Sequence, residues 1–237
     1  MAASWEHSLG LSIPFFNEEA CCEEVVTAVH TALSAVHPEF HLALVDNGST
    51  DRTGAILREL EERFQQCTVV HLAENAGYGG GIRAGLQRLD TQILGWHWGD
   101  GQISPETIVS AWKLMIRRPF QVVKASRTRR LDGTNRARIS AIYAQACQQV
   151  LGLESPDING CPKLLRRELL EQLDLRSSDW LLDLEAIYKI EALNLRIGCV
   201  DAVMHARRTG KSNVAWSTIR EFTLAIARTR LNSPPWK

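Results

Sequence analysis

The sequence predicts an α/β fold with a mostly parallel central sheet and helices on both faces. Short apolar runs alternate with longer helical patterns through the first half of the chain. The segments between runs are too long for hairpins, so successive strands must be joined by crossovers. The chain has 237 residues, 45% hydrophobic and 23% charged, enough to bury a full core as one domain.

Leu9–Phe16 reads as a buried strand, and Glu19–Val36 as a helix with Val25, Val26, Val29, Leu33 and Val36 on one face. Phe40–Asp46 is a second strand, ending at Asn47-Gly48. Ser49-Thr50-Asp51 supplies N-cap chemistry for a helix carrying Ile56, Leu57, Leu60 and Phe64. Cys67–Leu72 is a third strand, followed by a glycine-rich turn and a helix through Leu89. Gln92–Trp98 is a fourth strand, Pro105–Ile116 a helix and Gln121–Ala125 a fifth strand. The rhythm then changes. An arginine-rich loop leads to a helix over Ser140–Leu151 and a loop over Glu154–Pro162. A short strand (Lys163–Arg166), a helix (Trp180–Leu193), a strand (Arg196–Ala202) and an amphipathic segment (Trp216–Leu231) complete the chain.

Lys plus Arg and Asp plus Glu both number 27, so the formal net charge is zero and a general nucleic-acid binder is disfavoured. No apolar stretch approaches the roughly 20 residues that span a bilayer. MAASWEHSLG lacks the basic-then-apolar pattern of a secretory signal. The six cysteines form no C-x-x-C and read as reduced thiols of a cytoplasmic protein.

Ligands of parallel sheets bind at the carboxyl ends of the strands. Here those ends are polar: Asn17-Glu18-Glu19, Asp46-Asn47-Gly48-Ser49, Asn75-Ala76-Gly77, Asp100-Gly101-Gln102 and Ser126-Arg127. Each alone serves as turn or cap chemistry; five at one edge point to a site. Asp100 and Gln102 offer oxygen ligands to a hard divalent cation, with a bound diphosphate supplying others. Five arginines (127, 129, 130, 136 and 138) form a local basic cluster that suits a discrete phosphate or a solvated face. Arg207, Arg208 and Lys211 form a second basic group around Gly210. Gly79-Gly80-Gly81-Ile82-Arg83-Ala84 matches a dinucleotide-binding pattern, but follows the third strand, not the first, so a nicotinamide enzyme is a weak alternative.

The ordered motifs SIPFFNEE (12–19), VDNGSTDRT (45–53), ENAGYGGGIRAG (74–85), GDGQISPE (99–106), ASRTRRLDG (125–133), RARIS (136–140), DINGCPKLLRRELL (157–170), DWLLDLE (179–185) and HARRTGKS (205–212) resemble the family 2 glycosyltransferases. The branch resembled is that of dolichol-phosphate mannose synthase and other polyprenyl-phosphate glycosyltransferases. The resemblance runs over roughly positions 9 to 213.

It implies a single GT-A domain over 1–237: a nucleotide-sugar half (9–126), an acceptor half (127–213) and a C-terminal amphipathic segment (214–237). It implies an inverting enzyme that moves a hexose of the mannose or glucose class from a GDP- or UDP-sugar to a polyprenyl or dolichyl phosphate, with Mg²⁺ or Mn²⁺. Carried onto this sequence, Pro14, Phe16, Glu18 and Asp46 hold base and ribose, with Arg127 also on the nucleotide sugar. Asp100 and Gln102 bind the metal, and Asp100, Arg136, Ser140 and Arg207 form the catalytic set, with Arg127, Arg136, Ser140 and Arg207 gripping phosphates. Asp183 and Glu185 stand as general bases should the acceptor be a hydroxyl, or as helix carboxylates without that role.

Two positions depart from the pattern. Trp98 replaces the first Asp of the D-x-D metal motif, and Asn213 stands where R-x-x-G-x-S-K has Lys. Trp98 supports the alternative, a glycosyltransferase-like binding or regulatory subunit without turnover. A lipid acceptor implies work at the cytoplasmic face of a membrane, by peripheral contact or through an anchoring subunit. The stripe Trp216, Ile219, Phe222 and Ile226 either packs on the chain's own core or lies on that surface.

Overall fold

The computed structural model describes residues 7–36, 39–207, 216–231 and 234–236, without the side chains of Asn135 and of positions 216–221. Arg208, Lys211 and Asn213, and the side chains of Trp216, Ile219 and Arg220, therefore lie outside the described residues.

Among the described residues seven strands form one sheet: β1 (Leu9–Phe15), β2 (Phe40–Asn47), β3 (Cys67–Leu72), β4 (Ile93–Trp96), β5 (Val122–Arg130), β6 (Lys163–Arg166) and β7 (Ile197–Met204). Their spatial order is β3-β2-β1-β4-β6-β5-β7. The strands run parallel except β6, which lies antiparallel between β4 and β5. The described helices are α1 (Cys22–Ser34), α2 (Thr53–Arg63), α3 (Gly77–Leu86), α4 (Pro105–Arg117), α5 (Thr134–Leu151), α6 (Arg167–Leu173), α7 (Leu182–Ala192) and α8 (Trp216–Arg230).

The core lies on both faces of the sheet, as crossover connections require. On one face Leu9, Leu11, Ile13, Leu42 and Leu44 meet Val26, Val29 and Leu33 of α1, Leu57 of α2 and Ile108, Ala111 and Met115 of α4. On the other, Trp96 and Leu165 meet Ile82 of α3, Leu169 of α6 and Leu182 and Ala186 of α7. The glycine-rich segment is itself helix α3, packed on β1 and β2. A Cβ at Gly85 would collide with Ser12 Oγ, and one at Gly79 with the Ser177 carbonyl. These glycines let the helix sit close to the sheet and to the 177–179 loop, which replaces the dinucleotide reading with a packing one.

The N-cap position of α2 is Arg52, whose side chain makes no capping bond, one residue past the expected Ser49-Thr50-Asp51; Asp51 Oδ1 accepts the Thr53 N–H at 2.9 Å from just ahead of it. β5 extends to Arg130 and α5 begins at Thr134, six residues ahead of the expected start. Helix α6 follows β6 with no intervening loop. In α8, Ile226 is buried and Phe222 packs against Tyr143 with ring centroids 4.5 Å apart, so these two stripe positions cover the chain's own core. The six cysteines are thiols, and no two of them form a disulfide. Among the described residues, no helix is long and apolar enough to cross a membrane.

Candidate active site

A cavity of about 430 Å³ opens at the carboxyl ends of β1, β2, β4 and β5. Pro14, Phe16, Glu18, Asp100, Gln102, Arg127, Arg136, Ser140 and Arg207 all line it. Asp46 does not. Its carboxylate accepts the Ser49 N–H at 3.0 Å and meets His71 Nδ1 at 2.9 Å, behind the wall. Other strand-end polar groups staple loops together. Asn17, at φ 54°, accepts the Thr50 N–H, and Glu19 and Asp51 exchange hydrogen bonds with each other's loop backbones.

One pole of the cavity is rich in carboxylates. The Arg207 Nη2 lies 3.1 Å from Glu18 Oε1 and 3.3 Å from Asp100 Oδ2, bridging the two. Burial lifts the Glu18 pKa above its ordinary 4.5 against the pull of Arg207. Asp100 Oδ1 also accepts the Gln102 N–H at 3.1 Å, across a turn whose Gly101 has φ +68°. The Gln102 amide donates to the His205 carbonyl at 2.7 Å, tying this turn to the end of β7.

A second charged group at the cavity carries an arginine surplus. Arg130 donates Nε to Asp132 Oδ1 at 2.9 Å, Nη2 to Oδ2 at 2.6 Å and Nη1 to Ser140 Oγ at 2.6 Å. Arg136 Nη1 reaches the same Asp132 Oδ2 at 3.6 Å. Burial would raise the Asp132 pKa, but the hydrogen bonds and charge of Arg130 outweigh it and leave the group below 3.8. Arg130 and Asp132 escaped the sequence-based assignment; the only signal was membership of an arginine cluster.

Arg127 stands differently. Its Nε and Nη2 grip Asp157 at 2.8 and 2.6 Å, its backbone N–H adds a third bond at 2.8 Å, and the Trp98 ring lies 5.3 Å from the guanidinium carbon. Burial works against the charged Asp157, yet these bonds hold it well below the usual carboxylate range.

The floor is a polar network set in aromatics. Asp183 accepts from Lys163 Nζ at 2.6 Å, Trp96 Nε1 at 3.1 Å and Tyr78 OH at 3.1 Å. Tyr78 in turn accepts from Trp98 Nε1 at 3.0 Å and stacks on Trp180 with centroids 5.0 Å apart. Glu185 is fully buried and faces elsewhere, holding the Arg176 and Ser177 backbone N–H groups and Lys189. Asn159 also lines the cavity, and its Oδ1 has no partner among the described residues.

At position 98, where the resemblance implies a metal carboxylate, the indole commits its N–H to Tyr78. Among the described residues no three His, Cys, Asp or Glu side chains converge as a metal-binding group. Asp100, one hard oxygen donor at the cavity wall, fits a divalent cation that takes its remaining ligands from a diphosphate and water.

The family model for glycosyl transferase family 2 matches residues 11–174. The chain is 28% identical over 169 residues to dodecaprenyl-phosphate galacturonate synthase of Rhizobium johnstonii, covering 70% of this chain and 50% of that protein. It is 30% identical over 165 residues to undecaprenyl-phosphate 4-deoxy-4-formamido-L-arabinose transferase of Pseudomonas paraeruginosa, covering 68% and 48%. The chain thus spans about half the length of the curated relatives it matches. Glucosyl-3-phosphoglycerate synthase of Mycobacterium tuberculosis, solved with Mn²⁺, UDP and glucosyl-3-phosphoglycerate, superposes with TM-score 0.74 at 19% identity, over 98% of this chain and 83% of that one. A Pyrobaculum calidifontis mannosyltransferase solved with GDP-mannose and Mn²⁺ gives TM-score 0.66 at 18% identity, over 94% and 63%. The fold is that of the GT-A glycosyltransferases, and the chain belongs to glycosyl transferase family 2.

Proposed function

We propose that this chain is an inverting glycosyltransferase that moves a sugar from a nucleoside-diphosphate sugar to a polyprenyl phosphate. One observation carries the reading: the cavity lining holds two charged groups of opposite net charge, a carboxylate pole and an arginine pole. Glu18 and Asp100 share one arginine, whereas Arg130 and Arg136 share one carboxylate. The first pole suits a cation-bound diphosphate, the second a bare phosphate.

The arrangement also addresses the need for a base. A hydroxyl acceptor would require proton removal, but Asp183 is held by Lys163, and Glu185 lies outside the cavity lining. A phosphate monoester carries close to two negative charges near pH 7, its second pKa being about 6. Its oxygen attacks the sugar C1 unaided, the bond from C1 to the donor diphosphate breaks, and the nucleoside diphosphate leaves with the electron pair. From an α-linked donor, inversion yields a β-linked glycosyl phosphate. A bound Mg²⁺ or Mn²⁺ supplies charge neutralisation at the diphosphate. The residues position two mutually repelling anions: Asp100 toward the cation, Arg136 and Ser140 toward the acceptor phosphate, and Arg207 toward the diphosphate. Pro14, Phe16 and Glu18 bound the base-and-ribose end.

A lipid acceptor is supported by the surface at the arginine pole. Ile139 lines the cavity, and Leu131 and Ile142 nearby are 47% and 67% exposed, beside exposed Arg129 and Arg138. Such a mixture suits the headgroup layer of an anionic membrane, and peripheral contact there belongs to the proposal.

The reading is tested by supplying short polyprenyl phosphates with Mn²⁺ and, in turn, GDP-mannose, UDP-glucose and a galacturonate donor. The expected result is metal-dependent formation of a β-linked glycosyl phosphate, seen by NMR of the anomeric proton. Absence of transfer together with absence of metal-dependent nucleotide binding would overturn it. Trp98 favours a second reading, a binding subunit without turnover, and nucleotide binding without transfer from any donor would select it.

A further inference from the structure

We infer that Arg130, oriented by the buried carboxylate of Asp132, is a direct contact for the acceptor phosphate, and that Arg127 is a pillar of the cavity wall. The inference rests on the proposed phosphate acceptor and adds two residues to its binding site. Counting charge around each guanidinium separates the two arginines. Arg127 and Asp157 pair one to one, with guanidinium and carboxylate 8% and 15% exposed. That pair has no net charge to offer an anion. Asp132, 1% exposed, is shared by Arg130 and Arg136, so one positive charge is left over at the cavity lining.

Geometry agrees with the count. Three of the five guanidinium N–H groups of Arg130 are committed, two to Asp132 and one to Ser140. The planar fork is thereby fixed with its remaining donors beside the Ser140 hydroxyl and Arg136, where a phosphate could be held bidentately. Asp132 lies behind the lining and touches no ligand. Its role is positioning: without it, two adjacent guanidiniums repel, and neither is held in a single rotamer.

Charge counting and positioning predict opposite outcomes for one substitution. Asp132→Asn adds net positive charge to the pole. If charge alone mattered, phosphate affinity would rise; if Asp132 fixes the fork, affinity falls.

The experiment is calorimetric titration of the unsubstituted protein and its variants with farnesyl phosphate and, separately, methyl phosphate. Binding of GDP or UDP with Mn²⁺ serves as the donor-side control. Arg130→Gln is expected to weaken farnesyl phosphate binding about tenfold or more, in keeping with loss of charge-assisted hydrogen bonds, with nucleotide binding unaltered. Arg130→Lys should recover part of the loss. Asp132→Asn should weaken binding and raise the KM for the acceptor while leaving kcat near its original value, and Asp132→Glu should recover part. The double replacement Arg127→Gln with Asp157→Asn, which removes both charges of that pair, should change phosphate affinity by less than about threefold. Unaltered binding to Arg130→Gln overturns the inference, as does tighter binding to Asp132→Asn or failure of the unsubstituted protein to bind either phosphate. Equal, Arg130-dependent binding of both phosphates upholds the clamp and refutes the lipid part of the proposed function.

Discussion

Replacing Asp183 by Asn tests whether the carboxylate on the cavity floor is a structural counter-ion or a catalytic base. Lys163 is fully buried, with its ammonium 2.6 Å from Asp183 Oδ1 and 2.9 Å from the Gly160 carbonyl. Its cross-strand partner is Lys124, a second fully buried lysine, and the nearby Asp157 carboxylate is taken by Arg127. Asp183→Asn therefore leaves a buried ammonium without its counter-charge. Breaking such a pair from one side costs about 3–5 kcal/mol. For a domain of this size each kcal/mol moves Tm by about 2–4 °C, so a drop of roughly 6–20 °C is expected. Lys163→Met should cost less, because Trp96 and Tyr78 still donate to the carboxylate.

The double variant Lys163→Met with Asp183→Asn carries no buried charge at this point. Its cost should fall short of the two single costs together by about 2 kcal/mol or more, measured by urea unfolding. Below the variant's Tm, turnover of Asp183→Asn should fall by less than the 10²–10⁴-fold expected on removal of a general base. A single variant within about 1 kcal/mol of the unsubstituted protein, or a loss of turnover as large as a missing base predicts, would refute the reasoning.

Asp100→Ala should lower turnover by about 100-fold or more yet shift stability by less than about 1 kcal/mol, since Glu18 still pairs with Arg207; steady-state kinetics and thermal melts check both. A nucleoside diphosphate with Mn²⁺ at 100 times its Kd should stabilise the protein by about 2.7 kcal/mol, and Asp100→Ala should abolish the metal-dependent part of the shift. Burial, and secondarily the charge of Lys163, pull the Lys124 pKa from its ordinary 10.5 down to about 8. The unfolded chain then binds more protons between those values, so stability rises with pH from about 8 toward 10.5. Lys124→Met should remove that rise in urea unfolding followed across pH, with a gain on the order of 2–3 kcal/mol at neutral pH.

The alternation of strands and helices through residue 125 was legible because each buried strand is a run of apolar residues and each helix repeats its apolar face. What followed was harder to read for physical reasons. The Ser126–Arg130 extension of β5 is polar, and its partner β7 lies some seventy residues away in sequence, as Arg127 opposite Ala202 shows. The first turns of α5 hold Thr134, Asn135, Arg136 and Arg138, which carry no apolar periodicity. Strand β6 has four residues, too few for sequence to encode its antiparallel direction. The site shows the same division. Strand-end position was enough to locate Glu18, Asp100 and Arg127 on the cavity lining. The partner of each charge was not legible: Asp157 for Arg127, His71 for Asp46, and Asp132 shared by Arg130 and Arg136 are tertiary facts.

Those partners give Trp98 a physical meaning. An aspartate there would set a carboxylate where the ring now lies by Arg127 and the indole N–H donates to Tyr78. With an indole at 98, the carboxylates of Glu18 and Asp100 are bridged by one guanidinium, that of Arg207. The cost is a weaker protein hold on any cation, which must draw most of its ligands from the diphosphate. Metal and nucleotide should then bind as a unit, with the cation alone binding weakly. Trp98 also frames the wall, packing by its ring against Arg127 and by its N–H against Tyr78. The indole therefore stabilises this wall through an aromatic and hydrogen-bonded frame. It leaves Asp100 and the shared Arg130–Asp132–Arg136 group in place, the features that the proposed transfer of a sugar to a phosphate uses.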